Sequence, residues 1–249
     1  MRKRVLVTGG GRGVGAAVVT ALAGAGFDVD FTFRNSGEAA DALVASLTES
    51  APAATVTARS LDLADVGSLD IFAEAVEAEG YYGLVHSAGQ PYDVLAAMMA
   101  QDKAETAMQV NFWSLTRLAK AVLRGMIRAR SGRICVIGSV AALRGNPGNA
   151  AYAASKGALL SYCRTLAIET AKRGITVNYV APGFVDTDMM APYATQRAQI
   201  EAQIPAGRFA APQDVAAFVA FLMSPAAGYI TGAVLPIDGG MTAMIGVHR

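Results

Sequence analysis

The opening of the chain constrains its fold more than any other stretch. Residues 5–7 are a short apolar run, and Thr8-Gly9-Gly10-Gly11-Arg12-Gly13-Val14-Gly15 follows directly. An amphipathic stretch over 16–25 then stops at Gly26. That is a strand, a glycine turn and a helix. Glycines at such a turn allow it to be tight, leave room for a pyrophosphate against backbone N–H groups, and let the helix pack close to the sheet. A glycine cluster alone marks many ordinary turns; between a strand and a helix it points to a dinucleotide. The alternation continues, with strands expected at 29–33, 54–60, 83–86, 134–137, 175–180 and 234–237. Helices are expected at 38–48, 65–79, about 104–130 and 212–223. Alternation of this kind predicts a parallel sheet covered on both faces. With no repeat, linker or low-complexity segment, residues 1–249 read as a single α/β domain. The segment at about 184–210, broken by methionines and prolines, reads as a lid.

Composition narrows the classes. Apolar residues make up 53% of the chain and charged residues 16%, enough for a sizeable core and for oligomer interfaces. A formal net charge of +1 gives no reason to expect nucleic acid or a membrane surface as partner. No apolar run is long enough to span a bilayer, and Met1-Arg2-Lys3-Arg4 leads into a strand instead of a signal-peptide core. Cys135 and Cys163 sit in apolar contexts, which suits a reducing compartment better than a disulfide scaffold. The expectation is a soluble cytoplasmic protein. With only His86 and His248, two distant cysteines and no Gly-x-Ser-x-Gly, metal and hydrolase chemistry lack their parts.

The chemistry concentrates between Ser139 and Lys156. Tyr152 and Lys156 are four apart, on one face of a helix. A free tyrosine has a pKa of about 10, and bringing it near 7 takes about 4 kcal/mol favouring the phenolate. A lysine ammonium about 4 Å away, at an effective dielectric of about 20, supplies that order of energy. The pair then makes a phenol useful as a general acid or base. Ser139, at the end of a strand, offers a hydroxyl to hold a carbonyl oxygen beside it. Tyr-x-x-x-Lys also arises by chance, but of eight tyrosines only Tyr152 has a lysine four residues on. Tyr193 has Arg197 there, in a polar segment.

The second strand ends in Phe33-Arg34-Asn35-Ser36, without the carboxylate that accepts ribose hydroxyls in NAD-preferring enzymes. Arg34, with Arg12, is instead suited to clamp a 2′-phosphate, which favours NADPH. The alternative reading is two solvated surface arginines. Asp62-Leu63 falls where an adenine edge would lie. Asp30 interrupts the second strand with nothing in the sequence to account for it.

Thr8-Gly9-x-x-x-Gly13-x-Gly15, Asn111, Ser139, Tyr152-x-x-x-Lys156 and Pro182-Gly183 together resemble the short-chain dehydrogenase/reductase family along nearly the whole chain. The resemblance implies a Rossmann-type, doubly wound sheet in the order 3-2-1-4-5-6-7, with NADPH/NADP+ across the strand C-termini. It implies that Ser139 holds the substrate carbonyl, Tyr152 gives it a proton, Lys156 lowers the tyrosine's pKa and binds the nicotinamide ribose, and Asn111 holds a water that relays protons. It assigns cofactor contacts to Thr8, Gly9, Gly11, Arg12, Gly13, Val14 and Gly15, then to Arg34, Asn35, Ser36, Asp62, Leu63, Ser87, Ala88 and Gly89. Tyr152, Lys156, Pro182, Gly183, Val185 and Thr187 complete that set.

Within the family the chain is most similar to 3-oxoacyl-acyl-carrier-protein reductases, through residues 131–134, 174–178, 180–187, 204–208 and 231–241. This implies NADPH-dependent reduction of a 3-oxoacyl thioester on an acidic acyl carrier protein, in fatty acid or related polyketide or polyene synthesis, by a homotetramer. Arg130 and Arg173, each near a helix end, are candidates for docking that carrier beside the active-site mouth; equally, they merely complement helix dipoles. His86-Ser87 stands where the family has two asparagines, and His86 reads as structural. Residues 90–102 depart from the housekeeping reductases, leaving acyl preference open. A dehydrogenase for another alcohol, sugar or steroid stays open at this point, as does a catalytically silent dinucleotide-binding regulator.

Overall fold

A computed structural model describes residues 2–244; His248 lies outside them. Seven parallel strands form one sheet in the order β3-β2-β1-β4-β5-β6-β7. They are β1 (Arg4–Thr8), β2 (Asp28–Phe33), β3 (Val56–Ser60), β4 (Gly83–His86), β5 (Gly132–Ile137), β6 (Ile175–Pro182) and β7 (Val234–Ile237). The central strands are apolar without alternation, as strands covered on both faces must be: Val5, Leu6 and Val7 are all fully buried.

The helices are α1 (Gly13–Gly24), α2 (Gly37–Ser50), α3 (Val66–Glu79), α4 (Gln101–Met108), α5 (Ser114–Ala129), α6 (Ala150–Thr170), α7 (Arg197–Glu201) and α8 (Pro212–Met223). One face of the sheet buries Val18, Leu22, Val215 and Val219 from α1 and α8. The other buries Leu69, Leu118, Val122 and Leu159 from α3, α5 and α6. Each such side chain contributes about 1.5–3 kcal/mol of burial. Asp65 starts α3 as the sequence suggests, accepting from the Gly67 and Ser68 amides at 3.0 and 3.3 Å.

Three features depart from the sequence expectations or fill gaps in them. The third strand begins at Val56, not 54, because residues 51–54 form a turn closed by Ala54 N to Ala51 O. The long helix expected over 104–130 is two helices joined by a π-helical turn, Gln109–Trp113, with Asn111 fully buried at its centre. Asp30 is explained by distant partners. Arg4 and Arg59 pair with its buried carboxylate and the Tyr81 hydroxyl donates to it, while Glu79 completes both arginines. A buried carboxylate needs such pairing, and the phenol, desolvated beside it, is pushed well above its usual range.

The 184–210 segment is clamped at its base. Val185 bridges Ala210, and Phe184 stacks on Phe209 with ring centroids 5.4 Å apart. Between them Asp188–Gln196 runs in 3-10 turns into α7.

Candidate active site

Parallel strands put all their C-termini on one edge, and the loops leaving that edge enclose a cleft of about 580 Å³. Every cofactor and catalytic residue expected from the sequence lines this cleft except Thr8 and Asn111, which lie fully buried behind it. The glycine turn is cut to fit closely. A Cβ on Gly9 would stand 2.8 Å from the Ala88 Cα, and one on Gly15 would stand 2.0 Å from the Gly9 carbonyl oxygen. Gly9 and Gly13 also have positive φ, +68° and +54°, which favours glycine. This backbone concavity at the start of α1 suits a pyrophosphate. Arg12 and Arg34 are exposed at the rim and have no acidic partner among the described residues, unlike Arg4, Arg59, Arg117, Arg124, Arg197 and Arg208.

At the other end, Ser139 follows β5 while Tyr152 and Lys156 come from the first turns of α6. Lys156 is buried; its Nζ donates to the Ile137 carbonyl at 3.0 Å and lies 5.6 Å from the Tyr152 ring centroid. Burial lowers the ammonium pKa to about 8. The Tyr152 phenol is not brought toward neutrality. Burial pushes it up to about 12, with the Ser139 hydroxyl acting to lower it and the Asp93 carboxylate to raise it. The expectation of a lysine 4 Å away overcoming a phenol's intrinsic pKa is therefore corrected: the Lys156 ammonium, 5.6 Å from the ring centroid, does not offset the desolvation. At neutral pH this phenol carries its proton.

Asn111 takes up its side chain with protein partners. Its Oδ1 accepts from the Gln90 amide at 2.7 Å, while Nδ2 donates to the Gln90 carbonyl at 3.1 Å and to Ser155 Oγ at 2.8 Å. Ser155 in turn donates to the Tyr152 carbonyl at 2.7 Å. These bonds let Asn111 hold the Gln90 loop against α6. Thr8 does the same on the nucleotide side, accepting from the Ala88 amide at 3.1 Å.

Sequence reasoning missed Tyr179. It is fully buried in β6, and its hydroxyl accepts from the Ser139 amide at 3.0 Å and reaches the Lys156 carbonyl at 3.2 Å. It fixes the backbone of both residues from the sheet face that α6 covers. A tyrosine within an apolar strand reads as core, so nothing local announces this.

Arg130 and Arg173 are not at the mouth. They directly precede β5 and β6, so they lie at the N-terminal edge of the sheet, opposite the cleft. In a parallel α/β layer every helix C-terminus returns to that edge. Arg130 ends α5 with φ +50° and donates to the Lys172 carbonyl at 3.0 Å, completing a helix end.

A doubly wound parallel sheet with a glycine-turn cleft at its carboxyl edge and a serine, tyrosine and lysine at one end of it is the architecture of a nucleotide-dependent dehydrogenase or reductase. The chain belongs to the short-chain dehydrogenase/reductase family, and the family model described as enoyl-(acyl carrier protein) reductase matches residues 9–242. The chain is similar to 3-oxoacyl-[acyl-carrier-protein] reductase FabG of Escherichia coli (strain K12), 42% identical over 244 residues, with 96% of this chain and 97% of the relative covered. Among solved structures it resembles a short-chain dehydrogenase/reductase from Serratia marcescens, at TM-score 0.89 and 36% identity, covering 96% of this chain and 98% of the other. It also resembles a single-site variant of actinorhodin polyketide ketoreductase with NADPH, at TM-score 0.90 and 29% identity, covering 98% of each.

Proposed function

We propose that this protein reduces a 3-oxoacyl thioester, carried on acyl carrier protein, to the 3-hydroxyacyl thioester with NADPH. One observation carries the reading: a proton-bearing phenol, Tyr152, lines the same cleft as Ser139 and Lys156, at the carboxyl edge of the sheet. Similarity to 3-oxoacyl-[acyl-carrier-protein] reductases over 96% of the chain supports the substrate class. NADPH, when bound, supplies the hydride.

The chain's own residues supply the rest. Gly9, Gly13 and the start of α1 hold the pyrophosphate, and Arg12 and Arg34 take the 2′-phosphate. Asp62 and Leu63 border the adenine; Ser87, Ala88, Gly89, Pro182, Gly183, Val185 and Thr187 border the remainder. Ser139 donates a hydrogen bond to the carbonyl oxygen. Tyr152 passes its proton to that oxygen as negative charge develops there. Lys156, charged below about pH 8, stabilises the phenolate left behind. The 184–210 segment acts as the lid over the cleft. We also propose a homotetramer working in the cytoplasm. Free, buried Cys135 and Cys163 support a reducing compartment, and exposed Trp113, Ile168 and Phe221 support subunit contacts. No helix among the described residues is long and apolar enough to cross a membrane.

The test follows NADPH absorbance with acetoacetyl thioesters of carrier protein and of coenzyme A, beside a crotonyl thioester and a panel of ketones and sugars. The crotonyl arm matters because the matching family model is described as an enoyl reductase. Acetoacetyl thioesters are expected to turn over fastest; turnover confined to crotonyl thioester or to sugars would displace the proposal.

A further inference from the structure

We infer that Asp93 is a positioning residue that latches the 188–196 segment to the start of the Tyr152 helix, so that one carboxylate sets both the mouth of the cleft and the seat of the proton donor. Its two oxygens take donors from different segments. Asn149 Nδ2 donates to Oδ1 at 2.6 Å, and the Tyr193 hydroxyl donates to Oδ2 at 2.9 Å. Asn149 is the residue before α6, and its carbonyl accepts from the Ala153 amide at 2.8 Å, so it is built into the first turn below Tyr152. Tyr193 lies in the 3-10 turns of the segment over the cleft.

Two further contacts show that Asp93 is held and not merely passing. The Val94 amide donates to the Gly148 carbonyl at 2.7 Å, and the Tyr92 hydroxyl accepts from the Ala100 amide at 2.8 Å. Among the described residues the Asn149 amide is oriented by Asp93 alone, because its Oδ1 is buried with no partner among them. Leaving an amide oxygen unpaired is costly, and a charge-assisted bond at the other end of the group is what offsets it.

The latch joins two segments that both expose large apolar side chains: Leu95, Met98 and Met99 on one, Met189 on the other. Their spacing sets the gap through which an acyl chain would enter. Four groups face the Tyr152 phenol: Lys156 from its own helix, Ser139 from the end of β5, Tyr179 from β6, and Asp93 from the loop after β4. Asp93 is the one whose negative charge raises the phenol's pKa. Its loss leaves the phenol easier to ionise.

The kinetic part of this inference rests on the reading of Tyr152 as proton donor; the latch itself does not. The full chain is compared with Tyr193→Phe, which breaks the lid bond and keeps the charge, and with Asp93→Ala, which removes the carboxylate and both bonds it accepts. Hydrogen–deuterium exchange of the 188–196 amides should quicken about three- to tenfold in each. The KM for acetoacetyl thioester should rise about three- to tenfold, with kcat within about twofold in Tyr193→Phe. Wild-type exchange and KM in both variants would overturn the latch. Faster exchange in a protein that reduces no thioester would keep the latch and remove the substrate assignment instead.

Discussion

The His86 imidazole donates through Nε2 to the backbone carbonyl of Asn111 at 3.0 Å, tying the end of β4 to the π-helical turn. A carbonyl only accepts, so Nε2 carries the proton and Nδ1 accepts from the Thr8 hydroxyl, 2.9 Å away. The neutral ring satisfies every partner. Burial, with the Lys156 charge nearby, lowers the ring's pKa to about 3 from an ordinary 6.5. Between those values the unfolded chain binds a proton that the folded chain refuses. Stability from this site is therefore full above pH 6.5 and falls by about 1.4 kcal/mol per pH unit as pH drops toward 3. His86→Asn, neutral at every pH, should flatten that part of the slope. Urea midpoints of the two proteins between about pH 7 and 4 measure the difference.

Lys156 gives the opposite window for activity. With its pKa lowered to about 8, it is an ammonium below that pH and neutral above it. In the proposed mechanism reduction leaves a phenolate on Tyr152 that the ammonium stabilises, so kcat at saturating NADPH should hold to about pH 8 and fall beyond it. Stability moves the other way. The buried charge is unfavourable below pH 8, and that penalty is relieved as pH rises toward the ordinary lysine value near 10.5. Lys156→Met keeps the stem and drops the charge; it should cost about 10²-fold in kcat and remove the alkaline limb. A pH–rate series on both proteins reads this directly.

Tyr152→Phe removes the proton and little else. A positioned general acid is worth about 10²–10⁴-fold, so kcat/KM should fall by at least the lower figure. NADPH affinity, read from nucleotide fluorescence on titration, should stay within about twofold. Tyr179→Phe separates positioning from chemistry. It strips the hydroxyl that accepts from the Ser139 amide but leaves the proton donor in place, and should cost about tenfold in kcat with a lowered Tm.

The parallel sheet and the cleft were legible because they follow from patterns local to each element, whereas the strand order came only with the family resemblance. Apolar runs alternating with helical stretches specify a parallel sheet, and the glycine turn, Ser139 and Tyr152-x-x-x-Lys156 are each short motifs. What stayed illegible depends on distance. Asp30 is satisfied by Arg4, Arg59 and Tyr81, the last 51 residues away. Asp93 reaches Tyr193, 100 residues on. Arg130 and Arg173 lie on the edge opposite the cleft, and only the direction of the sheet decides which edge a helix end reaches. The Tyr152 pKa turned on burial, for which spacing carries no signal.

On the proposed reading, discrimination between the two nicotinamide cofactors rests on Arg12 and Arg34. Both guanidinium groups stand at the rim of the cleft where β1 and β2 end, exposed and with no carboxylate partner among the described residues. A dianionic 2′-phosphate gives each a charge-assisted hydrogen bond, which NADH cannot offer. Bonds to charged groups are worth about 1.5–3 kcal/mol. Arg34→Ala should therefore raise the KM for NADPH about ten- to a hundredfold while leaving that for NADH within about twofold. Arg34→Lys should fall between, since a point charge replaces a planar fork. Arg34→Asp should go further and reverse the preference, because a carboxylate at the end of β2 accepts from ribose hydroxyls and repels the phosphate. Steady-state kinetics with both cofactors on the wild type and the three variants checks the series. If Arg34→Ala left the NADPH to NADH ratio unchanged, Arg34 would be an ordinary solvated surface residue, and the specificity would have to come from Arg12 or from Asn35 and Ser36 beside it.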